Sequence, residues 1–270
     1  MSQDKESQVQ SPKKLPPHEL NNIRHVIAVM SGKGGVGKSS VTGLVAVLLA
    51  REGFSVGILD ADITGPSIPK IFGLAERPES LGSAGILPVK SSTGIKIMSL
   101  NLLLPNEDDP VIWRGPLIAG AVKQFWTDVV WGDLDYLLID LPPGTGDAPL
   151  TVMQSLPLNG VIIVSSPQDL AVMVVKKAMH MADMLNIPIL GLLENMSYIV
   201  CPHCGEVVHV FGPSQAEEVA AEMGVNFLGY LPLDPALAAL CDRGEIEKYE
   251  FNLPKVMASL EELVGVKTGQ

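Results

Sequence analysis

Residues Gly32–Ser39 read G-K-G-G-V-G-K-S, which fits G-x-x-x-x-G-K-[ST] at every fixed position. The run follows an apolar, β-branched stretch, HVIAVM (25–30), and opens a helical pattern from Lys38 to about Glu52. A strand, a glycine loop and a helix in that order make a cradle for phosphate oxygens. Glycines let backbone N–H groups turn inward, and the helix N-terminus adds partial positive charge. Gly32, Lys33, Gly34, Gly35, Val36, Gly37, Lys38, Ser39 and the adjoining Ser40 are therefore the candidate phosphate-binding residues. Lys38 is placed to reach β- and γ-phosphates and Ser39 to hold Mg²⁺. Such a loop needs a parallel α/β sheet behind it, which restricts the fold of the whole chain.

The remaining pattern agrees. SVGILD (55–60), DYLLID (135–140), GVIIVSS (160–166), IPILGLLEN (187–195) and VNFLGYLP (225–232) read as further core strands. ILPV (86–89) and IKIMS (95–99) read as a hairpin around a Ser-Ser-Thr-Gly turn. Helices are expected from Pro116 to about Val130, from Asp169 to Asn186, and from Leu253 to Leu263. Continuously apolar strands separated by helices predict one doubly wound, mostly parallel sheet covered on both faces. The domain is expected over 23–270. Residues 1–22 contain three prolines, three acidic residues, three lysines and little apolar material, and so are expected to form a disordered tail.

Composition excludes several classes. The 270 residues carry 19 basic and 30 acidic side chains, a formal net charge of −11, which argues against nucleic acid as a partner. Mean hydropathy is +0.29, but the longest apolar stretch, near 41–50, is about half a membrane span, so no membrane partner is expected. The first ten residues hold no signal-like apolar core. Three cysteines do not make a disulfide framework, and a reducing, cytoplasmic setting is expected.

Acidic residues end two of the expected strands beside the glycine loop. Asp60 and Asp62 stand in L-D-A-D-I-T-G-P-S, where one carboxylate can join a Mg²⁺ shell and the other can orient attacking water or accept its proton. Asp140 follows Y-L-L-I and is placed to hold Mg²⁺, with the shaped loop L-P-P-G-T-G-D after it. Asn195 ends the fifth core strand, where an amide can bond a base edge, and Pro232 lies where it can flank that base.

The second signal is Y-I-V-C-P-H-C-G, in which Cys201 and Cys204 form a thiolate knuckle within an expected insertion near 196–211. A closed site needs four ligands, and Cys241 stands 37 residues further on, on a helical apolar face that suits the core. Three arrangements remain open. His203 or His209 completes a zinc site within one chain. The pair works as a redox dithiol. Or two chains each give two thiolates to one [4Fe–4S] cluster or one zinc.

Taken together, K-G-G-V-G-K-S, D-A-D-I-T-G-P-S-I-P, W-R-G-P (113–116), L-I-D-L-P-P-G-T-G-D and C-P-H-C closely resemble, in that order, the Mrp/ApbC-type P-loop ATPases, the iron–sulfur cluster carrier group. This group lies within the deviant Walker A superfamily of MinD, ParA and the nitrogenase iron protein. The resemblance covers about 23–263. It implies an ATP- and Mg²⁺-dependent homodimer in which Lys33 reaches the partner's nucleotide. It assigns Asp60 to the metal shell, Asp62 to water activation, Asn195 to adenine, and Cys201 and Cys204 to a bridging [4Fe–4S] cluster. It implies apo iron–sulfur proteins as recipients. Two rivals are a MinD-type positioning ATPase, whose mark is an amphipathic C-terminal helix, and an electron donor like the nitrogenase iron protein. For Trp113 and Arg114, packing and interface roles are equally open.

Overall fold

The computed structural model describes residues 15–62, 67–103, 115–167 and 170–264. An eight-stranded sheet runs through the middle. Its strands are β1 (Asn22–Ser31), β2 (Val56–Asp60), β3 (Val89–Lys90), β4 (Lys96–Ser99), β5 (Asp133–Asp140), β6 (Gly160–Ser165), β7 (Ile189–Glu194) and β10 (Phe227–Tyr230). The order is β10-β7-β6-β1-β5-β2-β4-β3, parallel except where β3 runs against β4. Two short strands, β8 (Ile199–Val200) and β9 (Val207–Val208), form a separate antiparallel ribbon.

Both sheet faces are covered, as the doubly wound pattern predicts. Val26, Ala28 and Met30 of β1 point to one face, with α3 (Gly115–Asp128), α4 (Asp147–Ser155), α5 (Leu170–Met184) and α6 (Ala216–Glu222). Ile27 and Val29 point to the other, with α1 (Lys38–Arg51), α2 (Ile68–Ile71), α7 (Pro235–Asp242) and α8 (Pro254–Val264). Alternate strand residues thus feed two apolar layers, each sealed by helices. Burying a Leu- or Val-sized side chain contributes about 1.5–3 kcal/mol. Gly57 and Gly160 are glycine because a Cβ would meet Leu134 at 2.7 Å and Leu190 at 2.7 Å.

Several boundaries move. β1 begins at Asn22, three residues ahead of the expected start, because Asn22 and Ile23 pair with Asp133 and Leu134. Residues 15–21, expected as tail, lie against the domain. Trp126 Nε1 donates to the Leu15 carbonyl at 3.0 Å, and Asn21 is hydrogen-bonded to both Val129 and Gly132. A buried indole N–H needs an acceptor, and this segment supplies it. The hairpin strand β3 occupies only 89–90, while Ile86 bridges Ser80 and Val129 instead. Residues 63–66 of the first acidic loop, together with Trp113 and Arg114, lie outside the described residues.

Candidate functional site

The parallel strands β1, β2, β5 and β7 deliver their carboxyl ends to one edge of the sheet, and the candidate residues gather there. After Ser31 the chain turns through Gly35 (φ 81°) and Gly37 (φ 76°) before α1 begins. Both angles lie in the left-handed region that glycine adopts without a Cβ penalty. Gly32 is needed for a different reason, since a Cβ there would stand 2.1 Å from Val174 Cγ1. The Ser31 hydroxyl donates to the Lys33 carbonyl at 2.9 Å, which fixes the start of the loop.

Five polar side chains interlock at the base of the loop. Lys38 Nζ lies 2.8 Å from Asp140 Oδ2 and 3.9 Å from Asp62 Oδ2, and all three residues are buried. Ser39 Oγ donates to Asp140 Oδ2 at 2.6 Å. Thr42, one turn further along α1, donates to Asp140 Oδ1 at 2.7 Å. Thr42 is a site residue missed in the sequence reading, although its spacing of four from Lys38 puts it on the same helix face. Hydroxyl and carboxylate oxygens so arranged are the hard donors that Mg²⁺ prefers.

Asp60 sits deeper. Its Oδ1 accepts the Asp62 N–H at 3.1 Å, and its Oδ2 accepts from the Ser99 hydroxyl at 3.1 Å. Burial, aided by the charge of Asp140, holds its carboxyl well above the usual carboxylate range, against the opposing pull of Lys38. Both oxygens are thus engaged by protein donors, while Asp62 is the carboxylate turned towards Lys38.

Asn195 is engaged with the phosphate loop. Its Nδ2 donates to the Val36 carbonyl at 3.0 Å, and a Cβ on Gly37 would come within 2.3 Å of that nitrogen. The amide braces the phosphate loop from below. Pro232 is half-buried between Leu231 and Leu233, whose N–H groups bond the Glu194 and Tyr198 carbonyls at 2.8 Å.

The cysteine pair lies at the tip of the β8–β9 ribbon. Cys201 N–H donates to the Glu206 carbonyl and Gly205 N–H to the Cys201 carbonyl, each at 2.9 Å, closing a tight turn with Gly205 at φ 74°. Cys204 is exposed and Cys201 half-exposed. The backbone N–H groups of Cys204 and His203, with the Cys204 thiol, hold the Cys201 thiol below its ordinary pKa. The N–H groups of the turn thus play the part that a helix N-terminus plays for other low-pKa thiols. Among the described residues, no three His, Cys, Asp or Glu side chains cluster in a metal-binding arrangement. His209 instead lies edge-on to Tyr198, with ring centres 6.3 Å apart. Cys241 is half-buried on α7, hydrogen-bonded to Ser40, and burial pushes its thiol pKa up.

Glu194, the last residue of β7, also went unnoticed in the sequence. It is 2% exposed, and its carboxylate accepts from Ser197 at 2.8 Å and Ser214 at 2.9 Å. These two serines lie on the chain entering and leaving the ribbon.

Comparisons with known proteins agree with this geometry. The family model described as NUBPL iron-transfer P-loop NTPase matches residues 22–264. An iron–sulfur cluster carrier protein of Methanocaldococcus jannaschii is 54% identical over 226 residues, covering 83% of this chain and 78% of that protein. The cytosolic Fe-S cluster assembly factor CFD1 of Eremothecium gossypii is 46% identical over 236 residues, covering 84% of each. A solved nucleotide-binding protein of Archaeoglobus fulgidus, in complex with ADP, is 49% identical with a TM-score of 0.77, covering 87% of this chain and 91% of that one.

Proposed function

The chain belongs to the NUBPL-type iron-transfer P-loop NTPases, and we propose that it is an ATP-hydrolysing carrier that holds a [4Fe–4S] cluster between two copies of itself and passes it to apoproteins. One observation carries this reading. The phosphate loop after β1 and the cysteine ribbon after β7 leave the same edge of one parallel sheet, so a nucleotide site and a thiolate site share one scaffold. The names of the relatives, an iron–sulfur carrier and a cytosolic assembly factor, support the cargo and a cytoplasmic place of action.

In this reading each residue has its part. The Gly32–Ser40 backbone cradles the phosphates, and Lys38 leaves its ion pair with Asp140 to meet the β- and γ-phosphate oxygens. Ser39 and Asp140 would hold Mg²⁺, which would offset charge on the phosphoryl group. Asp60 orders this shell and, through the Asp62 N–H, aims Asp62. Asp62 accepts a proton from the water that attacks the γ-phosphorus, and ADP departs. Lys33 reaches the partner's nucleotide, much as an arginine finger does. Asn195 keeps the loop in shape from below, and Pro232 borders the base.

Cys201 and Cys204 supply two of four thiolates, and the same pair from a second copy supplies the rest. A cluster held in this way sits in an exposed turn with half its ligands on each chain, which suits release to a recipient. The positioning-ATPase rival needs an amphipathic C-terminal helix with a free apolar face. Here Val256 and Leu260 of α8 are fully buried in the core, and no described helix is long and apolar enough to cross a membrane. Anaerobic reconstitution tests the reading. About four irons and four sulfides per dimer are expected. Their absence, or their full retention in Cys201→Ala, overturns it.

A further inference from the structure

Four consecutive residues at the end of β7 touch both sites. Asn195 donates to the Val36 carbonyl inside the phosphate loop, and the same amide limits Gly37 to glycine. Met196 follows with φ 59°, a left-handed conformation unusual for a residue with a side chain. Its Cε stands 3.3 Å from where a Gly37 Cβ would lie. On the other side, the Glu194 carboxylate takes one hydroxyl from each stem of the cysteine ribbon, Ser197 on the way in and Ser214 on the way out. Ser214 in turn accepts the Ala216 N–H at 3.0 Å, tying in the start of α6. The Ser197 N–H donates to the Leu231 carbonyl at 2.9 Å, so the entering stem is fixed by backbone as well.

We propose that Glu194–Ser197 form a mechanical link between the phosphate loop and the cysteine ribbon, with Glu194 as the positioning residue that sets the ribbon's stance. Phosphates entering the loop press on the Val36–Gly37 peptide, which rests on Asn195. Asn195 cannot shift without moving its neighbours Glu194 and Met196, and Glu194 carries both stems of the ribbon. The buried carboxylate accepts two hydroxyls at once, so its displacement is transmitted to both stems rather than absorbed at one. The strained Met196 is the joint where the segment changes arrangement. Because coupling between two sites is reciprocal, a cluster on the ribbon alters nucleotide affinity by the same factor that nucleotide alters cluster affinity.

This link rests on the two sites proposed above, but it has a readout that needs no cluster. The test is the alkylation rate of Cys204 in the apo protein, with and without Mg²⁺ and a non-hydrolysable ATP analogue, binding of the analogue being measured separately by calorimetry. Wild type is expected to change rate by about fivefold or more on binding. Ser214→Ala is expected to bind the analogue as wild type does yet lose most of that response, and Ser214→Thr, which keeps the hydroxyl, to restore it. Ser259→Ala is the control. It removes a buried hydroxyl bonded to the Leu190 carbonyl of the same strand β7, away from the ribbon, and should leave the response intact. The link is overturned if the wild-type rate ignores a bound analogue, if Ser214→Ala responds as wild type does, or if Ser259→Ala loses the response equally. A full labelling response in protein that retains no iron or sulfide after reconstitution supports the link while removing the carrier reading.

Discussion

Lys38 Nζ and Asp140 Oδ2 are 2.8 Å apart and buried at 5% and 0% exposure, so the lysine proposed for phosphate is held by the carboxylate proposed for Mg²⁺. Removing one member of a buried pair leaves the other charge uncompensated, which costs about 3 kcal/mol or more. Lys38→Met is therefore expected to lower the unfolding free energy by about 3 kcal/mol in the absence of nucleotide. It should also abolish ATP hydrolysis. Asp140→Asn keeps one acceptor oxygen, for Ser39 or Thr42 but not both, and leaves Lys38 with Asp62 at 3.9 Å as a counter-charge, so it should cost less stability while still removing activity. Denaturant unfolding and steady-state phosphate release measure the two effects. Equal stability of wild type and Lys38→Met would mean that the ion pair contributes nothing to the apo fold.

Gly37 and Asn195 form the second dependence. An alanine at 37 carries left-handed strain of about 1–2 kcal/mol and also drives its Cβ into the Asn195 amide. Gly37→Ala is expected to weaken nucleotide binding by about tenfold, since each 1.4 kcal/mol is tenfold. The Gly37→Ala, Asn195→Ala double variant should recover part of that loss, because the clash is gone while the backbone strain remains. Calorimetric titration of all four proteins in a double-mutant cycle gives the coupling. Strict additivity would show that the two residues do not meet.

What the sequence revealed of this site was its local chemistry. The glycine loop, the strand before it and the helix after it are contiguous, and the acidic residues at 60 and 140 announce themselves by ending apolar runs. The doubly wound sheet follows from strands buried on both faces. What stayed hidden depends on partners far along the chain. Asn195 bonds Val36 across 159 positions, so its bracing role has no local pattern. Glu194 looks like an ordinary strand end until Ser197 and Ser214 close on it. Residues 15–21 have a tail's composition, yet Trp126 needs an acceptor and Leu15 provides one. Thr42 alone among the missed residues was within reach, by its helical spacing from Lys38.

Glu247 gives a pH dependence. Burial raises its carboxyl pKa, but hydrogen bonds from the hydroxyls of Ser91, Ser92 and Thr93, with the Thr93 N–H at 3.2 Å, outweigh it and leave the folded value lowered. A carboxyl whose pKa falls on folding adds stability above its unfolded value of about 4.3 and loses it as pH falls through the folded value. Glu247→Gln is therefore expected to cost about 1 kcal/mol at pH 7, a figure reduced for partial exposure. The difference from wild type should shrink as pH drops below about 4.3. Urea unfolding at several pH values follows it, and a gap that stays constant to acid pH would exclude the carboxylate as its source.

The three cysteines should separate cleanly in function. Cys241 is half-buried, bonded to Ser40, and its thiol pKa is pushed up by burial, whereas Cys204 is exposed at the ribbon tip. Thiol alkylation of the apo protein at pH 7 is therefore expected to mark Cys204 well before Cys241, because the thiolate is the reacting form and access adds to the difference. Cys241→Ala should keep the iron and sulfide content of reconstituted wild type, at a stability cost of about 1 kcal/mol for a half-buried side chain. Cys204→Ala should lose the cluster yet keep its ability to bind nucleotide, since that side chain is exposed at the ribbon tip. Mass-resolved labelling together with iron and sulfide assays decides this. Loss of iron and sulfide in Cys241→Ala would move the thiolate site off the ribbon and towards α7.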